Sequence, residues 1–170
     1  MMDQKAKQIN KILQLTIISF LWLISPLQAD EGVKKSVTSS SIIKQKIEGN
    51  YLEVAQNIRS AILGKGIHIA HELHASDMLQ RTGPSFGYSK NIYANAEILE
   101  FCSAALSQKL ARIDPDNIIM CPFTIGVYAL TGEKDITYIV YQIPHGKPGT
   151  EEVTKEIEVL ISGIIEDSAW

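Results

Sequence analysis

The sequence contains only two cysteines, Cys102 and Cys121, and no Cys-x-x-Cys pair. The missing pair argues against a thioredoxin-like redox motif and against covalent haem attachment, since both need closely spaced cysteines. The chain also lacks a glycine-rich phosphate loop, a Gly-x-Ser-x-Gly nucleophile elbow and a paired-carboxylate motif. Without a catalytic signature, the sequence favours a binding or accessory role over an enzyme.

A strong charge of one sign is also missing. The formal net charge is -3, and lysines and acidic residues are interspersed without a long block of either sign. Binding to nucleic acid phosphates needs a basic surface, which this balance does not provide. We therefore expect no nucleic acid partner.

The long apolar run needed for a membrane span is absent, but a shorter one stands near the start. Lys5, Lys7 and Lys11 precede an apolar run over 12–24, and Ala29 offers a cleavage point. The run is shorter than the roughly 20 residues that a spanning helix needs, and the three parts are typical of a secretory signal. The sequence predicts a signal peptide over 1–29, no stable membrane anchor after cleavage, and a periplasmic or secreted location.

The remaining chain is predicted to hold a polar linker over 30–41 and a single domain over 42–168. Hydrophobic periodicity and turn residues predict elements in the order β-α-β-α-α-β-β-α. The predicted strands cover 42–47, 67–73, 118–129 and 136–142, and the predicted helices cover 51–62, 75–81, 95–113 and 150–164, with Asn50, Asn95 and Thr150 as caps. This order indicates an α+β domain of two layers, with helices packed on a mixed or antiparallel sheet.

The two cysteines lie on the apolar faces of different predicted elements. On its predicted helix, Cys102 lies four residues from both Ile98 and Leu106 and so points into an apolar stripe. Cys121 alternates onto the apolar face of its predicted strand. A structural disulfide between the two layers is the leading interpretation. Two buried free thiols remain an alternative, as does a functional thiol or metal site that Pro122 exposes by interrupting the strand.

Three histidines, His68, His71 and His74, occur in one predicted strand. In a strand, His68 and His74 share a face but lie about 20 Å apart, at roughly 3.3 Å per residue, and His71 points to the other face. In a strand the three histidines therefore cannot bind one ion. A helix would bring neighbouring histidines together, but the Gly64-Lys65-Gly66 break and the apolar alternation favour the strand.

A smaller set remains at the start of the short helix. His74 and Met78 are four residues apart, and with Cys121 nearby they would suit a soft metal ion such as Cu(I). The alternative is that His74 caps the helix and Met78 fills the core. His74, Met78 and Arg81 are also candidate ligand-binding residues, next to a loop over 82–88.

Several motifs together resemble the domain of unknown function family 302, in its exported branch with two cysteines. The resemblance covers roughly 42–144 and rests on Lys65-Gly66, Leu73-His74-Ala75, Phe101-Cys102-Ser103-Ala104, Asp114-Pro115, Cys121-Pro122 and Ile125-x-Val127-Tyr128. It implies a small α+β fold that can self-associate, and it supplies no accepted activity. The family's recurring histidine matches His74, but Leu73 stands where many relatives carry an aspartate.

These observations lead to three functional hypotheses. The first is an exported binding or accessory domain with a structural disulfide between Cys102 and Cys121. The second is a soft-metal, haem or thiol-redox protein that uses Cys102, Cys121, His74 and Met78. The third is a homodimeric interaction module. The sequence names no ligand and no cofactor.

Overall fold

The computed structural model of this protein describes residues 42–168. The predicted signal peptide and linker lie outside these residues. The strands are β1 (Ile42–Glu48), β2 (Ile69–Leu73), β3 (Tyr93–Phe101), β4 (Phe123–Leu130) and β5 (Ile136–Gln142), and the helices are α1 (Tyr51–Gly64), α2 (Ala75–Thr82), α3 (Ala104–Ile113) and α4 (Glu151–Asp167). Short 3-10 helices cover Gly83–Phe86 and Pro115–Met120. Of the described helices, none is long and apolar enough to cross a bilayer.

The five strands form one sheet in the order β1-β5-β4-β3-β2. Every neighbouring pair is antiparallel. The register places Ile42 opposite Gln142 at one edge and Ile69 opposite Phe101 at the other. The α+β fold class is thereby confirmed, with an antiparallel sheet.

One face of the sheet is covered by helices α1, α3 and α4. Alternate strand residues face these helices and are buried, because successive side chains of a strand point to opposite faces. The core contains Ile58 and Ile62 of α1, Leu106 and Leu110 of α3, Ile157 and Ile161 of α4, and Leu99, Phe101, Phe123, Ile125, Val127 and Ile139 of the sheet. The predicted two-layer packing is therefore correct.

The ends of the first and last helices show which predicted caps form. The amide of Leu52 donates to Asn50 Oδ1 at 2.9 Å, so Asn50 caps α1 as predicted. Thr150 precedes α4, but its hydroxyl donates to the Lys147 carbonyl at 2.8 Å instead of capping the helix. The predicted position of α4 is thus confirmed, and the prediction that the Thr150 side chain caps it is wrong.

The element order differs from the prediction at one place. The predicted helix over 95–113 is a strand followed by a helix, giving β-α-β-α-β-α-β-β-α. Ser103, not Asn95, caps this helix by accepting a hydrogen bond from the Leu106 amide at 3.4 Å. The segment before Cys121 is likewise a 3-10 helix, and strand β4 begins only at Phe123.

The second face of the sheet carries a row of tyrosines. The ring of Tyr93 meets that of Tyr128 edge-on at 5.3 Å, and Tyr128 stacks on Tyr138 at 5.0 Å. The ammonium of Lys44 lies 4.3 Å from the centre of the Tyr138 ring, within cation-π range. The register places Ala96 opposite Tyr128, so Ala96 is on this face. Ile98 is two residues further along the strand and therefore points to the same side.

Candidate functional site

The connection between β2 and β3 forms a cleft of about 550 Å³. Helix α2 and the 3-10 helix make one wall, and the segment leading into β3 makes the other. The lining is mainly apolar and includes Leu79, Pro84, Tyr88, Ile92 and Tyr93, with Gln80, Ser89, Lys90 and Asn91 as polar members. A volume of this size is within the range of small-molecule sites.

Hydrogen bonds within the connection hold the first wall. The amide of Tyr88 donates to the Gly83 carbonyl at 3.0 Å, and the amide of Gly87 donates to the Pro84 carbonyl at 3.2 Å. Gly87 has φ of 83°, a left-handed conformation that glycine adopts without steric cost. These bonds fix the turn that carries Tyr88 into the cleft.

The second wall is fixed by the turn between β4 and β5. The amide of Thr131 donates to the Ile92 carbonyl at 2.9 Å, and its hydroxyl donates to the Asn91 carbonyl at 3.0 Å. One residue therefore anchors two consecutive carbonyls of the wall. Both walls of the cleft are therefore held by hydrogen bonds within the protein.

The predicted ligand residues lie on α2, outside this lining. His74 is exposed at the start of the helix and makes no side-chain cap, Met78 is half-buried, and Arg81 is exposed in the last turn. The predicted loop over 82–88 contributes Gly83, Pro84, Gly87 and Tyr88 to the cleft. A ligand role for His74, Met78 or Arg81 stays a prediction.

The predicted metal set is not brought together. His74 follows the last residue of β2, while Cys102 follows Phe101, which pairs with Ile69 at the other end of that strand. The two sites are separated by the length of β2, roughly 15 Å at about 3.3 Å per residue. Within residues 42–168, no group of three or more His, Cys, Asp or Glu side chains is arranged to hold a metal ion.

The sulfur atoms of Cys102 and Cys121 lie at disulfide distance, with Cα atoms 5.8 Å apart. Strand register explains their approach. Phe101 ends β3 and Phe123 begins β4, and the two are paired across the antiparallel ladder. The residues just beyond this pair therefore meet at the ends of these two strands, and their Cα distance is within the range that a disulfide requires.

The surroundings of the pair differ from the prediction. Cys102 stands between β3 and the Ser103 cap, not on a helix stripe, and Cys121 ends a 3-10 helix. Both residues are half-buried at one end of the sheet and do not lie deep between the layers. The misplaced helix start is the physical reason, because it assigned Cys102 to a helical face that begins only at Ala104.

A charged cluster that the sequence reading missed lies beneath α1. Arg59 donates to Glu97 Oε2 at 2.5 Å and to Glu72 Oε2 at 3.1 Å. The Glu97 side chain is only 3% exposed, against 22% for Arg59. Both glutamates are on the helix-covered face, and Glu97 alternates with Leu99 and Phe101 along β3. No local signal in the sequence pairs Glu97 with Arg59.

The cluster shifts two pKa values. Burial acts to lower the pKa of Arg59, but its hydrogen bond with Glu72 and the charges of both glutamates outweigh this and raise it. Burial raises the pKa of the Tyr51 hydroxyl, and the nearby charge of Glu97 raises it further. Near neutral pH the guanidinium is therefore charged and the phenol is protonated. The cluster joins α1 to β2 and β3 through an ion pair.

Comparisons with known proteins agree with this fold. A family model described as "Domain of unknown function DUF302" matches residues 43–168. A crystal structure of uncharacterized conserved protein DUF302 from Bacillus stearothermophilus superposes with a TM-score of 0.61 at 15% identity, covering 75% of this chain and 97% of that chain. At this identity the likeness supports the fold alone. No match was found among curated proteins.

Proposed function

Since the chain belongs to the DUF302 family, whose description leaves activity open, we propose from its own geometry that it is an exported small-molecule-binding or accessory domain. The cleft between α2 and the start of β3 is the observation that carries this proposal. Export is supported by the predicted signal over 1–29 and by the cysteine pair, since disulfides persist in oxidising compartments.

The side chains at the mouth of the cleft support binding of an apolar group. Tyr88 is 72% exposed and Ile92 is 69% exposed, so both side chains expose apolar surface to water. A ligand that covers them removes that surface from water at about 25 cal/mol per Å². Because the walls are already fixed, little of this gain is lost to ordering the protein.

Binding at the cleft is tested with naphthamide, a neutral aromatic probe, and the protein without its signal peptide. We expect Ile92→Gln to weaken binding about ten-fold, the effect of roughly 1.4 kcal/mol of lost apolar contact. Titrations followed by amide NMR spectra should show shifts at Leu79, Gly87 and Tyr88. Val159→Gln on α4, where the residue is similarly exposed at 63%, is the matched control. Probe shifts confined to α4 or the sheet would contradict the cleft.

We further propose that the chain forms a homodimer through the tyrosine-bearing face of its sheet. Ile98, Tyr128 and Val140 are only partly buried on this face, whereas Ala96 and Tyr138 are buried. Lys44 lies on the β1 edge, and Glu100 lies near the β2 edge. In this dimer the two tyrosine-bearing faces pack against each other around a two-fold axis parallel to β4. The β1 edge of each copy then lies over the β2 edge of the other, which brings Lys44 of one copy towards Glu100 of the other.

The dimer is tested by light scattering after size-exclusion chromatography. We expect Ile98→Asp to leave a folded monomer at concentrations where the wild type is dimeric, because it places a charge in the middle of the apolar interface. Ile118→Asp, at an exposed site on the second 3-10 helix, should not change the mass. Lys44→Glu should weaken the dimer, and adding Glu100→Lys should restore it. A wild type that stays monomeric at high concentration would refute this arrangement.

A further inference from the structure

The charges around the cleft indicate which class of small molecule it would take. Among the described residues that line the cleft, Lys90 is the one charged side chain and none is Asp or Glu. A second cleft shares Lys90, Asn91 and Ile92 with the first and is also lined by Leu130 and Thr131, with no acidic residue among its described lining residues. The segment 90–92 thus lines both clefts and contributes the positive charge of Lys90 to each.

The positive charge of Lys90 is available to a ligand. The ion pairs found in the described part of the chain use Arg59, Lys65, Lys109, Lys147 and Lys155 as their cations. Lys90 is exposed and takes part in none of them. A positive group with no acidic neighbour in the lining stands out in a chain whose net charge is -3.

The neutral polar groups of the lining suit the same kind of ligand. Gln80 and Asn91 carry amide donors and Ser89 carries a hydroxyl, so each can donate to an oxygen anion. Tyr88 and Tyr93 add aromatic surface beside them, which favours a flat apolar body. An apolar wall with a few polar groups near one cation is complementary to a molecule with a ring body and an anionic head.

We propose that the cleft binds small organic anions, namely aromatic or alicyclic carboxylates, with the carboxylate at Lys90 and the ring against Tyr88 and Ile92. This inference rests on the proposed binding role of the cleft and specifies its ligand class. A hydrogen bond between two charged groups is stronger than one between neutral groups. The pair is near the surface, where water and salt reduce its strength.

Comparing naphthoate with naphthamide isolates the contribution of the negative charge to the affinity, because the two probes have the same aromatic ring system. We expect the wild type to bind naphthoate about five-fold more tightly than naphthamide at low salt, with a smaller difference as salt increases. Lys90→Gln should abolish the preference by weakening naphthoate binding about five-fold, to the affinity that the same variant has for naphthamide. Lys155→Gln on α4 controls for the general loss of one positive charge. Calorimetry gives the affinities, and amide NMR shifts locate both probes.

The outcomes distinguish the two proposals. Equal affinity for naphthoate and naphthamide, with shifts at Leu79, Gly87 and Tyr88, would overturn the anion inference and leave the binding cleft in place. A preference for naphthoate that survives Lys90→Gln would also overturn it. If neither probe shifts the cleft residues, both the anion inference and the proposed binding role fail.

Discussion

Arg59→Ala is expected to lower the free energy of unfolding by about 3 kcal/mol, the largest effect we foresee for a single charged residue. The reason is the carboxylate that the substitution leaves behind. Glu97 is 3% exposed and its Oε2 lies 2.5 Å from Arg59. Once the guanidinium is gone, this buried carboxylate loses its closest compensating charge, and removing one partner of a buried pair is far costlier than removing both.

Urea denaturation followed by circular dichroism measures this loss, which corresponds to a fall in Tm of roughly 10 °C for a domain of this size. Two variants sharpen the test. Arg59→Met combined with Glu97→Gln should recover most of the lost stability, because no buried charge remains. Lys109→Ala breaks the exposed pair with Glu156 and should cost less than about 1 kcal/mol. An Arg59→Ala protein as stable as Lys109→Ala would show that water solvates Glu97 after the substitution.

Loss of the bond between Cys102 and Cys121 is expected to cost about 3 kcal/mol, the entropy of closing a loop with a sequence separation of 19 residues. The bond joins the end of β3 to the start of β4, beside the contact between the Phe101 and Phe123 rings at 6.0 Å. A variant with both cysteines changed to serine should unfold at lower urea. Adding a dithiol reductant to the wild type should lower its stability to the level of that variant.

Mass spectrometry completes this test. Protein purified from the periplasm without reductant should begin at Asp30 and resist alkylation until it is reduced. Two alkylated cysteines before reduction would contradict the disulfide, and a chain retaining residues 1–29 would contradict cleavage of the signal. A serine variant as stable as the wild type would show that the bond, although formed, does not constrain the unfolded chain.

Local sequence signals were sufficient to predict the helices and strands that are bounded on both sides by capping or turn residues. Helix α1 follows the Asn50 cap and ends at Gly64, and β5 matches its predicted range. Strand β3 was missed because Ile98, Cys102 and Leu106 have helical spacing across a strand-to-helix boundary. Glu97 added to the error, since a charged residue at an inward position hides the alternation of a strand. Ser103, a strong cap residue, marked the true start of the helix.

The candidate site was less predictable than the fold. The loop over 82–88 contains glycine and proline residues, which are typical of turns, so one wall of the cleft could be located from the sequence. The other wall depends on Thr131, which bonds to carbonyls at 91 and 92 from about 40 residues away. Contacts of that range leave no periodic signal in one sequence. The partnership of Arg59 with Glu97 was hidden for the same reason.

The order of strands in the sheet has a consequence for how the domain assembles. Ile42 in the first strand pairs with Gln142 in the last, about 100 residues later. Among the described strands β1 pairs only with β5, so this first strand gains its partner only when nearly the whole domain is available. Pairing between strands so far apart in sequence raises the contact order, and a higher contact order slows folding. Under the proposed export of this chain, the delay would keep it competent for translocation until its final strand has passed.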